Sequence, residues 1–299
     1  TALRTAETVK YEQGPSMNMQ ALTITTADGY QLQASEFSPQ TSNGVGLIIN
    51  GATGVLRKYY QPFAEFLSEQ GFTVLTYEFR GVGGSTKAAD NALAPSMLNW
   101  GLHDMDAVLG YLLDRHPALT IKGIGHSIGG QLLGILPDNN RYHSFLNIAA
   151  QNIYWKNWPL KERPLSVAFF FVVLPVFNAL TGGLPPWVLG CEYLPKQVVR
   201  DWSRFARKKA YISDNKGNPL REGFNAYKGK MRLYSMIDDK TFAPPNCVRE
   251  LEKLFINADT EIKTLHPKEY AMKAIDHFGF FKKSMNKKAW FESAEWLLS

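Results

Sequence analysis

Cysteine is scarce in this chain: Cys191 and Cys247 are the 2 in 299 residues. They lie far apart and form no Cys-x-x-Cys pair, which leaves out the zinc and redox motifs built on that spacing. Two free thiols point to a reducing, cytoplasmic compartment. Signal-peptide character is lacking as well. Thr1–Ser16 has no apolar centre; it reads as a polar N-terminal arm or an expression remnant ahead of Met17, and plays no part in the fold reading. Long apolar runs are few. The longest, Val167 to Leu174 followed by Pro175-Val176-Phe177, falls short of the roughly 20 residues that span a bilayer. It reads as a buried or lid helix in preference to a peripheral lipid contact. Nucleic-acid signatures are missing too: the net charge is only +6, and no basic motif is interleaved with aromatics. The loose basic concentrations, Arg200 to Lys230 and Lys282, Lys283, Lys287 and Lys288, read as solvated faces, with attraction to acidic surfaces the lesser alternative. There is no internal repeat and no low-complexity tract. Nothing implies a metal or organic cofactor.

What remains is an ordinary globular composition, 45% hydrophobic and 20% charged, with alternating strand and helix patterns. Gln20 to Thr26 and Tyr30 to Phe37 alternate apolar and polar residues around Asp28-Gly29, a hairpin signal. Val45 to Asn50 is almost wholly apolar, as in a strand buried on both faces. A helix follows over Tyr59 to Gln70, then a strand over Thr73 to Phe79. Met97 to Arg115 predicts one amphipathic helix with Leu98, Leu102, Met105, Val108, Leu109 and Leu112 inward. A strand running into Gly125, a helix over Gln131 to Leu136 and a strand over Ser144 to Ala150 complete the first part. From Asn152 to about Gly229 the pattern lapses into Trp, Phe, Pro and basic residues. It resumes with Met231 to Ser235, Pro244 to Phe255, Glu261 to Leu265 and Met285 to Leu298. This alternation is the signature of an α/β fold with a mostly parallel central sheet flanked by helices. We divide it into an arm (1–16), a core (17–151), an inserted helical cap (152–229) and the rest of the core (230–299).

The chemistry-bearing stretch is Gly125-His126-Ser127-Ile128-Gly129, between an apolar strand and a helical segment. That context suits a nucleophile elbow, a turn so tight that the serine backbone is strained and side chains at either glycine would clash. A serine hydroxyl needs a base to take its proton, and the base needs an acid to orient it. His277, in Ile275-Asp276-His277-Phe278-Gly279, is the candidate base. Asp238 and Asp239, just after a strand, are the candidate acids; counting from Ser235 as a Gly-x-x-Asp turn favours Asp238. The oxyanion donors are expected at Ile128 N–H and in the loop Asn50-Gly51-Ala52-Thr53-Gly54, with Ala52 first and Thr53 second. His126 reads as a wall of the substrate site. Among the cap aromatics, Trp155, Phe170 and Trp187 are expected to line an acyl pocket.

These residues resemble the α/β-hydrolase superfamily, and more narrowly its serine aminopeptidase-like and monoglyceride-lipase-like hydrolases. The resemblance rests on Asn50 to Gly54, Phe79-Arg80-Gly81-Val82-Gly83-Gly84-Ser85, Gly125 to Gly130, Asp238-Asp239 and His277 to Phe281. It covers Met17 to Gln151 and Met231 to Ser299, and implies that the Arg80 loop is structural. Asn50 departs from the His of the usual His-Gly loop, and the Asp-to-Pro spacing is one residue longer. Counting back from Pro244 against relatives with paired aspartates inclines the reading to Asp239, leaving Asp238 to fix the turn. The implied activity is hydrolysis of apolar carboxylic esters through an acyl-enzyme. An acyltransferase, or a peptidase or thioesterase of the same fold, is the alternative.

Overall fold

The computed structural model describes residues 18–87 and 89–299. The arm 1–16, together with Met17, lies outside the described residues. The chain runs through β1 (Asn18–Thr25), β2 (Tyr30–Ser38), β3 (Val45–Asn50), β4 (Thr73–Tyr77), β5 (Thr86–Lys87), β6 (Thr120–His126), β7 (Ser144–Ile148), β8 (Gly183–Leu184), β9 (Leu194–Pro195), β10 (Lys230–Met236) and β11 (Asp259–Leu265). Among the described residues, nine of these form one sheet in the order β1-β2-β4-β3-β6-β7-β10-β11, with β5 pairing Tyr30 and Gln31 of β2 beyond the residues that β4 reaches. β1 pairs antiparallel with β2, and β2 with β4. From β4 to β11 every pairing is parallel. The expected hairpin therefore forms, with Thr25 opposite Gln31 across the Asp28-Gly29 turn.

Burial explains the pattern. Every residue of β3, β4 and β7 is buried, as a parallel strand covered on both faces requires. Lys122, inside β6, is the exception in kind: its ammonium donates to the carbonyl of Leu297 at 2.7 Å. This satisfies a free carbonyl at the end of the helix Lys287–Leu298 and places a cation at its negative pole.

The segment Met97–Arg115 departs from one regular helix. It widens into a π turn at Trp100–Asp104, which shifts the phase of the buried face. Met97 and Trp100 are fully buried, while Leu98 and Leu102 are only partly so. The wide turn brings two groups onto Arg80. Trp100 Nε1 donates to the Arg80 carbonyl at 3.0 Å, and Arg80 Nε donates to Asp104 Oδ1 at 2.6 Å. The same guanidinium reaches Asp28 in the first hairpin turn at 2.8 Å. Arg80 thus ties the loop after β4 to two other parts of the fold.

The sheet strands stop at Ile148 and resume at Lys230. Between them lie the helices Arg163–Ala168 and Leu174–Thr181, joined without a break by a π turn at Phe169–Val173, and the helix Lys196–Arg207. Two short strands, β8 and β9, pair as an antiparallel ribbon that the sequence did not announce. Trp158, Phe170 and Trp202 are buried together, with Phe170 5.8 Å from Trp158 and 6.1 Å from Trp202. Several bonds tie this region to the rest of the fold. Trp158 Nε1 donates to the Thr241 carbonyl at 3.1 Å, Tyr211 Oη to the Gln151 carbonyl at 3.0 Å, and the Met97 N–H to Asp201 Oδ2 at 3.0 Å.

Candidate active site

Parallel α/β sheets build sites beyond the carboxyl ends of their strands, and the candidate residues gather there. Ser127 follows β6 and opens the short helix Ile128–Gln131. Its φ of 53° and ψ of −117° lie in a region that L residues seldom occupy. The neighbouring glycines make the turn feasible. A Cβ at Gly125 would sit 2.4 Å from Gly130 Cα, and one at Gly129 would sit 2.1 Å from the Asn50 carbonyl oxygen. The helix begins at Ile128, three residues earlier than expected, so the Ile128 N–H lies at a helix N-terminus with no intrahelical acceptor.

The two aspartates face different partners. Asp239 Oδ2 accepts from His277 Nδ1 at 2.6 Å, and its Oδ1 accepts from the Phe242 N–H at 3.0 Å. Burial would raise the Asp239 pKa, but the His277 imidazole and the Phe242 and Ala243 N–H groups outweigh it and hold the carboxyl below its ordinary value. Asp238 Oδ2 instead accepts from the N–H groups of Ile275 and Asp276, at 2.8 and 3.1 Å. It pins the loop that carries His277. With Nδ1 committed to Asp239, Nε2 is the nitrogen of His277 left for proton transfer. A hydrogen bond from Ser127 Oγ to that nitrogen is the contact that substrate binding would tighten.

Two expectations need correction. His126 is not a wall of the site: it is fully buried, and both ring nitrogens are occupied. Its Nε2 donates to the His277 carbonyl at 2.9 Å, and Tyr60 Oη lies 2.9 Å from its Nδ1. A carbonyl can only accept, so Nε2 carries the proton and Nδ1 accepts from Tyr60. Burial pushes the His126 pKa down to about 3, and the ring is neutral. Ala52 is the second correction. Its N–H donates to Tyr60 Oη at 2.7 Å and is not free to meet an oxyanion. Among the described residues, the Thr53 N–H has no such partner. Asn50 is buried, with its amide donating to the Ile124 carbonyl at 3.2 Å and accepting from Tyr77 Oη at 2.8 Å. It locks the end of β3 to its neighbours.

The aromatics expected to line an acyl pocket have other aromatic partners. Phe170 is in the cap interior, and Trp155 stacks edge-on against Phe171 at 6.0 Å. Trp187 is 72% exposed and touches Phe177. A cavity of about 440 Å³ lies instead between the loop after β3, the segment Leu189–Glu192 and Phe278. Val55, Leu56, Tyr59, Leu189, Cys191 and Phe278 give it apolar walls, with Lys58, Glu192 and Lys282 at its rim. The Glu192 N–H donates to the Gly54 carbonyl at 2.9 Å and ties its segment to that loop. Tyr59 and Tyr60 were missed from the sequence because their roles are set by partners 8 to 219 positions away.

A strained serine elbow, a parallel sheet and an Asp–His pair after its last two strands define the arrangement. The chain has the α/β-hydrolase fold. The profile of the alpha/beta hydrolase fold matches residues 47–170. No curated protein matches the sequence. Solved structures match its fold. A soluble variant of monoglyceride lipase from Saccharomyces cerevisiae, in complex with a substrate analogue, is 16% identical over 97% of this chain and 98% of its own, with a TM-score of 0.65. An esterase from Pyrococcus furiosus is 17% identical over 94% of this chain and 92% of its own, at 0.60. Est1E from Butyrivibrio proteoclasticus, with ferulic acid bound, is 15% identical over 93% and 98%, also at 0.60. The α/β-hydrolase architecture is common to all of them.

Proposed function

We propose that this α/β-hydrolase is a serine esterase that cleaves carboxylic esters of apolar acyl groups. The observation that carries the reading is the buried His277 Nδ1 to Asp239 Oδ2 bond of 2.6 Å on the loop facing the Ser127 elbow. Ser127 Oγ attacks the ester carbonyl carbon as its proton passes to His277 Nε2. The tetrahedral oxyanion is held by the N–H groups of Ile128 and Thr53. The imidazolium returns the proton to the leaving alcohol, which departs and leaves an acyl-enzyme. Water then attacks the acyl carbon, His277 takes its proton and passes it to Ser127 Oγ, and the carboxylic acid is released. Asp239 keeps the imidazole in the tautomer with Nε2 free and offsets its charge.

The apolar cavity beside Gly54 and Phe278 suits the acyl chain. Both thiols are free, and burial pushes Cys191 up to about 11, so neither competes as a nucleophile. We place the protein in the cytoplasm on the same ground. The test is a fluorophosphonate probe with a series of p-nitrophenyl esters. Wild type should be labelled once and turn over esters. Ser127→Ala should lose labelling and several orders of magnitude in kcat/KM with an unchanged fold. Retention of more than about a tenth of the activity by that variant overturns the reading, since it lies far above the residual left by removing a triad serine.

A further inference from the structure

The helix that opens the cap runs from Arg163 to Thr181, 19 residues. The expectation of a buried or lid helix fits only one of its faces. Ser166, Phe170, Leu174 and Asn178 point inward at four-residue spacing. The opposite face is open and entirely apolar: Leu165 is 64% exposed, Val172 56%, Val176 46% and Leu180 77%. No charged residue lies between Arg163 and Thr181. Leu160, just before the helix in the chain, is 77% exposed, and Trp187, which packs against Phe177 of the helix, is 72% exposed. A solvated helix face of this length carries charges, and monomeric surfaces seldom leave so much contiguous apolar area in water.

Beside this helix runs a groove of about 600 Å³. One wall is Leu174, Pro175, Asn178 and Ala179; the other is Lys196, Arg200, Arg204, Arg207 and Lys208. Lys196, Arg200, Arg204 and Arg207 fall along one side of the helix Lys196–Arg207, and Lys208 follows its end. The single acid of that helix, Asp201, is buried and pairs with Arg204 at 2.9 Å. Among the described residues, Lys196, Arg200, Arg207 and Lys208 have no carboxylate partner. The groove is therefore cationic, and its cations flank an exposed apolar stripe.

We infer that this face of the cap docks on the surface of a lipid bilayer that contains anionic phospholipid. An apolar stripe bordered by cations is the arrangement that lies in the membrane interface, its side chains among the upper acyl chains and its cations on headgroup phosphates. The helix lies on the bilayer and does not cross it. Its inward face is packed on the cap, and Arg163 at its start is tied to the Lys156 and Trp158 carbonyls at 2.8 and 3.1 Å, so lipid reaches one side only. Trp187 suits the same depth, because indole rings favour the boundary between headgroup and acyl chain. Burial of the stripe supplies the attraction independent of charge, and the groove supplies the preference for anionic lipid. The inference rests on the cap surface alone and stands whether or not Ser127 is the nucleophile.

Vesicle co-sedimentation of the full chain tests it, with phosphatidylcholine alone against phosphatidylcholine mixed with phosphatidylglycerol. The expected result is binding to the mixed vesicles, weakened by added salt. Inorganic phosphate at matched ionic strength should not displace it. Arg200→Glu with Arg207→Glu should weaken binding to mixed vesicles about tenfold or more and abolish the preference for them. Val176→Asp with Leu180→Asp should reduce binding to both vesicle types. All four positions are exposed, and circular dichroism with thermal unfolding checks that each variant folds. Four outcomes overturn the inference: failure of the wild type to bind mixed vesicles; equal binding by the folded Asp variant; displacement by phosphate alone; or a wild-type dimer that the Asp substitutions dissociate while vesicle binding persists, which would assign the face to a second copy of the chain.

Discussion

His126 Nε2 donates to the main-chain carbonyl of His277 at 2.9 Å. The residue before the elbow serine thus holds the backbone of the candidate base. The chain of bonds continues from His126 Nδ1 to Tyr60 Oη, and from Tyr60 Oη to the Ala52 N–H. One buried ring links the loop after β3, the elbow and the His277 loop. His126→Ala should lower kcat by about ten- to a hundredfold with little change in KM, the scale expected when reacting groups are misplaced. His126→Gln, whose amide can donate and accept, should recover part of the loss. Equal kcat in both variants and wild type, measured on a p-nitrophenyl ester, would show that the link does not position His277.

The same ring sets a pH dependence of stability. In the unfolded chain His126 titrates near 6.5; in the folded protein burial lowers this to about 3. Below the unfolded value the unfolded state binds a proton that the folded state does not. Its contribution is therefore complete above about pH 6.5 and is lost as the pH falls towards 3, by about 1.4 kcal/mol per pH unit. Urea unfolding between pH 7 and pH 4 should show a shallower decline in His126→Gln than in wild type. Parallel declines would place the acid sensitivity elsewhere.

The aspartates should separate cleanly. Asp239→Asn deprives His277 of the carboxylate that fixes its tautomer and should reduce kcat by several orders of magnitude with little change in melting temperature. Asp238→Ala frees the buried Ile275 N–H and should cost about 1–3 kcal/mol of stability with a smaller loss of kcat. Thermal melts alongside steady-state kinetics distinguish them; a reversal of the two patterns would exchange their assignments.

Arg80 is buried between Asp104 and Asp28. Arg80→Ala leaves the fully buried Asp104 carboxylate uncompensated and should cost about 3–5 kcal/mol. Arg80→Lys should fall between, since one ammonium cannot match a fork that serves two carboxylates. Denaturant midpoints check the order.

The cavity beside the loop after β3 predicts a change in chain-length preference. Leu189→Trp reduces its volume, and the preferred acyl chain should shorten. Each buried methylene contributes about 0.8 kcal/mol, roughly fourfold in kcat/KM, so loss of room for two should be plain across an ester series. An unchanged profile in a folded, active variant would move the acyl site elsewhere.

Much of this protein was decided by local sequence. The apolar run Val45 to Asn50 forms a strand because only a two-sided core absorbs it. Ser127 sits in a strained turn because Gly125 and Gly129 alone permit the contacts around it. The pattern that marks each lies within a few consecutive residues, and could be read there, although the Gly129 contact itself is with Asn50. What the tertiary structure decided was the choice of partners. Asp238 and Asp239 are chemically the same and adjacent; only the direction of each carboxyl, fixed by how the turn after β10 meets a loop 38 positions later, gives His277 to Asp239. Ala52 looks as available as Thr53 until Tyr60 folds back onto its N–H. His126 resembles a pocket wall until a loop 151 positions away covers it. The helix Arg163–Thr181 has no charge on any face after its first residue, and packing sets which face is spent on the core and which is left open. Local pattern fixes backbone conformation through short-range sterics and periodic burial; the pairing of polar groups and the exposure of apolar ones depend on which distant surfaces meet.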